Sequence, residues 1–328
     1  MSMKLFLHIG ATKTGTSLIQ SALAKNVDAL RANVIAYPDF VSLEQARANQ
    51  ITSGNGVPMS KLLGYEPGPQ ITTGHLADEM RAAFDAGLSL LYSSEMMSHF
   101  AAPEAAAFGR QVAALGYELR VIIYVRAIAD HALSLYHQWI KSAQVTGSLA
   151  DYVRNGYAAA SQRRLVDRAL RGFGPGAVMV RNYDAAGDDL FGDFLTGALG
   201  LPGGHGLAMD GARINRSLTA IEAAVMREMN PVFLTPVQAR FASDSMLYAA
   251  PDLAPSRTMT SEAMRAIEEV CGGDVAAINA HVDGPPITLK SHEIVVSDEP
   301  PPELSEAEKA MARIIASLIR NGQYRRFR

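Results

Sequence analysis

The chain has 328 residues, 48% of them hydrophobic and 19% charged, and its 30 Lys and Arg stand against 33 Asp and Glu for a net charge of −3. That composition excludes a disordered, collagenous or coiled-coil chain, and the near-neutral balance excludes nucleic acid as a partner, which would leave a basic footprint. A lone cysteine, Cys271, permits no intrachain disulfide, residues 3–9 are too short for a signal sequence, and no apolar run approaches the ~20 residues of a spanning helix, so the expectation is a cytoplasmic protein without a membrane span.

The chain opens by alternating strand and helix. Lys4 to Ile9 reads as a short buried strand, Gly10 to Gly15 as a loop, and Thr16 or Ser17 as the start of an amphipathic helix through about Arg31. Val34 to Tyr37 reads as another short strand before Pro38, and residues 38–74, rich in Gly and Pro, as a loop-rich insertion. A helix at 75–86 feeds the strand Leu88–Tyr92, one at 103–115 feeds Leu119–Val125, and one near 160–171 feeds Ala177–Val180. These strands are continuous apolar runs, the signature of a parallel sheet covered on both faces.

From Asp188 onward the pattern is mainly helical. Thr219 and Ser261 read as helix starts, with one long helix expected over Ser261–Asn279. Residues 284–303, Pro-rich and acidic, read as a connector, and Ser305-Glu306-Ala307-Glu308 as a capping box that opens a last helix closing near Asn321-Gly322, before a basic tail. The expected fold class is α/β: three layers around a central, mostly parallel sheet, with helical additions and a C-terminal helical arm. The expected domains are 1–283 for the α/β domain, 284–303 for the connector and 304–328 for the helix and tail.

The strongest chemical signal is the loop Gly10-Ala11-Thr12-Lys13-Thr14-Gly15-Thr16-Ser17 between a strand and a helix. Unpaired N–H groups and the dipole at a helix start favour an anion, and glycines let the backbone wrap it. In the triphosphate-binding version, G-x-x-x-x-G-K-[ST], a lysine follows the second glycine. Here that slot holds Thr16, and the lysine is Lys13, inside the loop. Its ammonium is thereby expected beside the first phosphate and its leaving oxygen, a different substrate geometry from that of a kinase.

Lys13-Thr14-Gly15-Thr16-Ser17-Leu18 resembles throughout the first nucleotide motif, K-[ST]-G-T-[ST]-hydrophobic, of the sulfotransferases that use 3′-phosphoadenosine 5′-phosphosulfate (PAPS). The resemblance implies that Lys13 contacts the bridging oxygen of the phosphosulfate, that Gly15, Thr16 and Ser17 bind the 5′-phosphate, and that Thr14 belongs to the same cofactor-binding set. That family also has an Arg at a strand end and a Ser eight residues on, gripping the 3′-phosphate; Arg126 and Ser134 stand at that spacing, with Ile128 where many members have Pro. The bland alternative pairs Arg126 with Asp130, one helical turn on. Softer likenesses are Ala32–Pro38, the stretch from Val180 to Leu201, and Asn215-Arg216-Ser217-Leu218, where Arg213 or Arg216 could add a charge on the 3′-phosphate or be solvated.

Sulfuryl transfer is in-line and asks the protein for positioning, charge stabilisation and a base. The strand at 88–92 runs into Ser93-Ser94-Glu95 at a strand end facing the ligand crevice. By the resemblance Glu95 is the base, provided its pKa rises; His99 is the alternative, and His8 reads as a hydrogen-bonded core histidine. The implied donor is PAPS, the product adenosine 3′,5′-bisphosphate, with no metal expected. The acceptor is a small molecule or glycan, its cleft expected from 38–74 and the helices of 144–172. A nucleoside-triphosphate kinase or hydrolase, and a catalytically silent nucleotide-binding module, are the competing readings.

Overall fold

Strands β1 (Lys4–Ile9), β2 (Ile35–Ala36), β3 (Ser89–Ser94), β4 (Glu118–Val125) and β5 (Val178–Asn182) form one sheet in the order β2-β3-β1-β4-β5, every pair parallel. They are seen in a computed structural model that describes residues 2–39, 43–48, 50, 52–66, 68, 72–142, 145–157, 161–203, 206–207 and 216–322. Helices flank the sheet, giving the α/β fold that the strand–helix alternation predicts.

Both faces of the sheet are covered, which is why the strands carry apolar residues on both sides. Phe6, Leu91, Ile122 and Tyr124 point one way, onto Ile19, Leu23 and Leu30 of the helices Thr16–Lys25 and Val27–Ala32 and onto Phe191 and Phe194. Alternation sends Leu5, Leu7, Leu90, Val121 and Ile123 to the opposite face, all fully buried. The helices Ala102–Ala114 and Gln162–Phe173 pack against each other and against β4.

The chain divides into two compact units, each assembled from three segments, where composition alone suggested cuts at 283 and 303. The first holds residues 1–126, 161–214 and 273–287, and with them the whole central sheet. The second holds 127–160, 215–272 and 288–328. It contains the helices Ile128–Ser142, Leu149–Asn155, Ala220–Met229, Pro236–Ala249, Ser261–Cys271 and Glu306–Arg320, and a small parallel ladder of β6 (Thr258–Thr260) with β7 (Val295–Ser297).

Several boundaries differ from the sequence expectation. The helix expected to run to Arg31 breaks at Asn26, whose side-chain amide donates to the Ala22 carbonyl 2.7 Å away. The long helix of 261–279 is two, Ser261–Cys271 and Asp274–Asn279, parted by Gly272-Gly273. The insertion 38–74 contains the helices Leu43–Arg47 and Val57–Leu62, and the Pro-rich connector supplies β7. No helix among the described residues is long and apolar enough to cross a membrane.

Candidate active site

In an open parallel sheet the ligand crevice lies at the strand C-termini, where the chain order reverses across the sheet. Here β1 is that point: the chain leaves it for β2 and β3 on one side and returns to β4 and β5 on the other. The segments following β1, β3 and β4 therefore meet, and they carry Lys13, Glu95 and Arg126.

The loop after β1 is held by β3 and by its own groups. Gly10 N–H donates to the Ser94 carbonyl at 3.2 Å, and Thr14 Oγ1 to the Ala11 carbonyl at 2.7 Å. Two residues are left-handed, Lys13 at φ 67° and Gly15 at φ 79°. For a lysine that conformation costs on the order of 1 kcal/mol or more, a strain found where a loop is shaped for binding. Gly15 is required twice over, since a Cβ there would also stand 2.3 Å from Leu190 Cδ2. Gly15 caps the helix Thr16–Lys25 without a side-chain acceptor, and the first turn carries no acid. Thr16 Oγ1 is buried and finds no hydrogen-bond partner among the described residues. A buried hydroxyl left over at a helix start fits an anion.

Arg126 reaches this loop from the end of β4. Its Nη1 donates to the Lys13 carbonyl at 3.3 Å, its Nη2 lies 3.4 Å from Asp184 Oδ1, and the guanidinium sits 4.9 Å from the centre of the Tyr183 ring. Gln162 clamps the Arg126 backbone, accepting its N–H at 2.7 Å and donating to its carbonyl at 2.9 Å. Glu95 follows β3, and its Cγ lies 3.0 Å from where a Cβ on Gly10 would stand. The turn Met96–His99 is hung from Glu95, whose carbonyl accepts from Ser98 N and Oγ at 3.0 and 2.6 Å.

Burial drives both charges of this pair toward neutrality. It pushes the Glu95 carboxyl up, with the Lys13 ammonium pulling the other way. It pushes Lys13 down; Glu95 opposes the shift and Arg126 adds to it. His99 keeps different company, its ring stacked on Tyr65 at 4.8 Å, and burial with the Arg168 charge lowers its pKa. His8 is a core residue: fully buried, bonded through Nδ1 to Ser93 Oγ at 2.8 Å, and held neutral by burial down to about pH 3.

Beneath the loop a polar layer fixes the end of β3. Asn55 Oδ1 accepts Ser93 N–H at 2.8 Å, and its Nδ2 donates to the carbonyls of Leu91 and Pro38 at 3.0 Å each. Gln20 Nε2 donates to the Ser93 carbonyl at 3.3 Å. Sequence reasoning missed Asn55 and Gln162, which sit in no motif; Tyr183 and Asp184 lie in the softer likeness of 180–201, which gave no hint of their contact with Arg126.

Ser134 and Arg216 fall in the second unit. Ser134 lies half-buried within the helix Ile128–Ser142. Arg216 is spent on Glu222, at 2.6 and 2.7 Å, and on the carbonyls of Ala250 and Ser217. Asp130 accepts from Ser291 N at 3.0 Å and Oγ at 2.6 Å. Arg213, Asn215 and the basic tail lie outside the described residues.

No protein-family model, no curated protein and no solved structure matches this chain. Within the first unit, a half-buried ammonium and carboxylate stand with a guanidinium at neighbouring strand ends. That set can hold an anionic donor and take a proton from an acceptor.

Proposed function

We propose that the chain is a PAPS-dependent sulfotransferase acting on a hydroxyl or amine of a small molecule or glycan. What carries this is the meeting of two signals more than a hundred residues apart: the Arg126 guanidinium donates to the carbonyl of Lys13. The unpartnered Thr16 hydroxyl and the uncapped helix start fit the 5′-phosphate of such a donor. The Arg126 fork suits its 3′-phosphate in place of Asp184.

In this role Lys13 carries the charge that develops on the phosphate oxygen as the sulfur–oxygen bond breaks. Glu95 takes the acceptor's proton as the new bond to sulfur forms, and its raised pKa suits a base working near neutrality. His99, set against Tyr65 and Arg168, is the lesser candidate.

Thermal unfolding separates this function from its competitors. Adenosine 3′,5′-bisphosphate is expected to raise the melting temperature, as any ligand selective for the folded state does, while ATP or GTP with Mg²⁺ is not. A preference for the Mg²⁺-triphosphate would assign a kinase or hydrolase. Bisphosphate binding without sulfate transfer to any acceptor tried would leave a nucleotide-binding module.

A further inference from the structure

Behind Glu95 the chain turns through Met96–His99, and this turn is gripped from two sides within the first unit. On one side Gly54, left-handed at φ 77°, lies so close to β3 that a Cβ would stand 2.1 Å from the Ser93 carbonyl. The helix Val57–Leu62 that follows packs on the turn, and the Leu63 carbonyl accepts from Ala101 N–H at 3.0 Å. Tyr65 then stacks on His99 with the ring centres 4.8 Å apart. On the other side stands Arg168, from the helix Gln162–Phe173. Its Nη2 donates to the Ser98 carbonyl, and its guanidinium lies 4.8 Å from the centre of the Phe100 ring.

That guanidinium has no counter-ion among the described residues. Arg163, on the same helix, is met by Asp167 and Asp274 at 3.5 and 3.2 Å. Arg168 is half-buried, its Nε is buried without a hydrogen-bond partner, and the charges that bear on it, Arg164 and Arg171, are both positive. Glu66, the carboxylate beside Tyr65, is taken by Lys61 at 3.2 Å. Burying a cation without an anion is costly, and a guanidinium fork matches a carboxylate with two parallel bonds.

We propose that Arg168, beside the rings of His99 and Tyr65, receives a carboxylate carried by the acceptor, so that the substrate is a hydroxy or amino carboxylic acid and not a neutral alcohol. The anion site stands on the geometry of this turn; that its occupant is the acceptor rests on the sulfotransferase reading. Ser98 joins the two groups, its N–H and Oγ donating to the Glu95 carbonyl while its own carbonyl holds Arg168. A carboxylate fixed at one end of the turn leaves the rest of a small acceptor to reach the other.

The probes are 4-hydroxyphenylacetate and tyrosol, in which a hydroxymethyl group replaces the carboxylate. Binding is read by NMR from the His99 imidazole, assigned by its loss in His99→Gln. Burial and the Arg168 charge hold the His99 pKa down, so 4-hydroxyphenylacetate seated on Arg168 is expected to raise it, and tyrosol to leave it in place. Arg168→Gln is expected to weaken binding of the acid by about tenfold to a hundredfold, and in sulfate transfer to raise KM for the acid by the same factor with kcat retained. A His99 pKa that the acid does not move, tyrosol bound as tightly as the acid, or a preference that survives Arg168→Gln overturns the proposal. The first two outcomes are read on the native chain and do not depend on the variant's folding. Neither titration uses a sulfate donor. Failure of adenosine 3′,5′-bisphosphate to bind would remove the transfer reading and leave the anion site standing, whereas indifference to the carboxylate in a chain that does transfer sulfate would remove the subsite alone.

Discussion

Lys13 and Glu95 each hold the other's charge against the cost of burial, so their titrations are linked. A base must be ionised and the ammonium protonated, so transfer is expected to follow a bell-shaped pH profile. Its acid limb lies above the ordinary carboxylate range and its alkaline limb below that of an exposed lysine. Glu95→Gln is expected to cut transfer by about 10²–10⁴ with bisphosphate binding retained; full activity in that variant would remove Glu95 from the role. Lys13→Ala is expected to lose about 10²–10³ in rate, far more than it loses in bisphosphate affinity. His8 gives a separate titration. Its pKa falls from 6.5 unfolded to about 3 folded, so the unfolded chain binds a proton that the folded one refuses. Stability is therefore complete above the unfolded value and lost as pH falls, by about 2 kcal/mol between pH 7 and 5. Urea titrations at both pH values should show this loss in the native chain and its absence in His8→Gln.

The strands and the glycine loop were readable because their signals are local. β1 occupies the span its apolar run predicts, and Thr219 and Ser305 head capping boxes at the expected helix starts. Elsewhere local pattern competes with interactions a window cannot see. Asn26 turns its side chain back onto the preceding turn and splits a continuous amphipathic run. β7, three residues long, exists because β6 is there to receive it, not because its sequence demands a strand. The candidate site divides in the same way. Lys13, Glu95 and Arg126 stand at loop and strand ends whose meeting follows from strand order. Asn55 and Gln162 act through backbone groups of distant segments, which no spacing reveals. Asn55 has a measurable weight: Asn55→Ala strips a partner from the Ser93 amide and the Leu91 carbonyl in the core, and about 3 kcal/mol is expected from chemical denaturation.

Because both units are assembled from separated stretches, neither is a contiguous fragment of sequence. The second draws on the last forty residues for β7, for the helix Glu306–Arg320 and for Ser291, which satisfies the buried carboxylate of Asp130. A chain ending at Ile287 keeps every strand of the central sheet yet leaves that carboxylate uncovered. Limited proteolysis of it is expected to degrade residues 216–272 while residues 1–126 resist. Uniform resistance would mean that the second unit holds without its C-terminal part.

Gln162 ties both backbone groups of Arg126 at the place where the chain departs from the first unit and comes back. The excursion of residues 127–160 is thus knotted off at its root. Once a loop's ends are pinned, lengthening it costs little, about 0.6 kcal/mol per doubling. The excursion can therefore be exchanged as a cassette while Gln162 keeps its clamp on the Arg126 backbone.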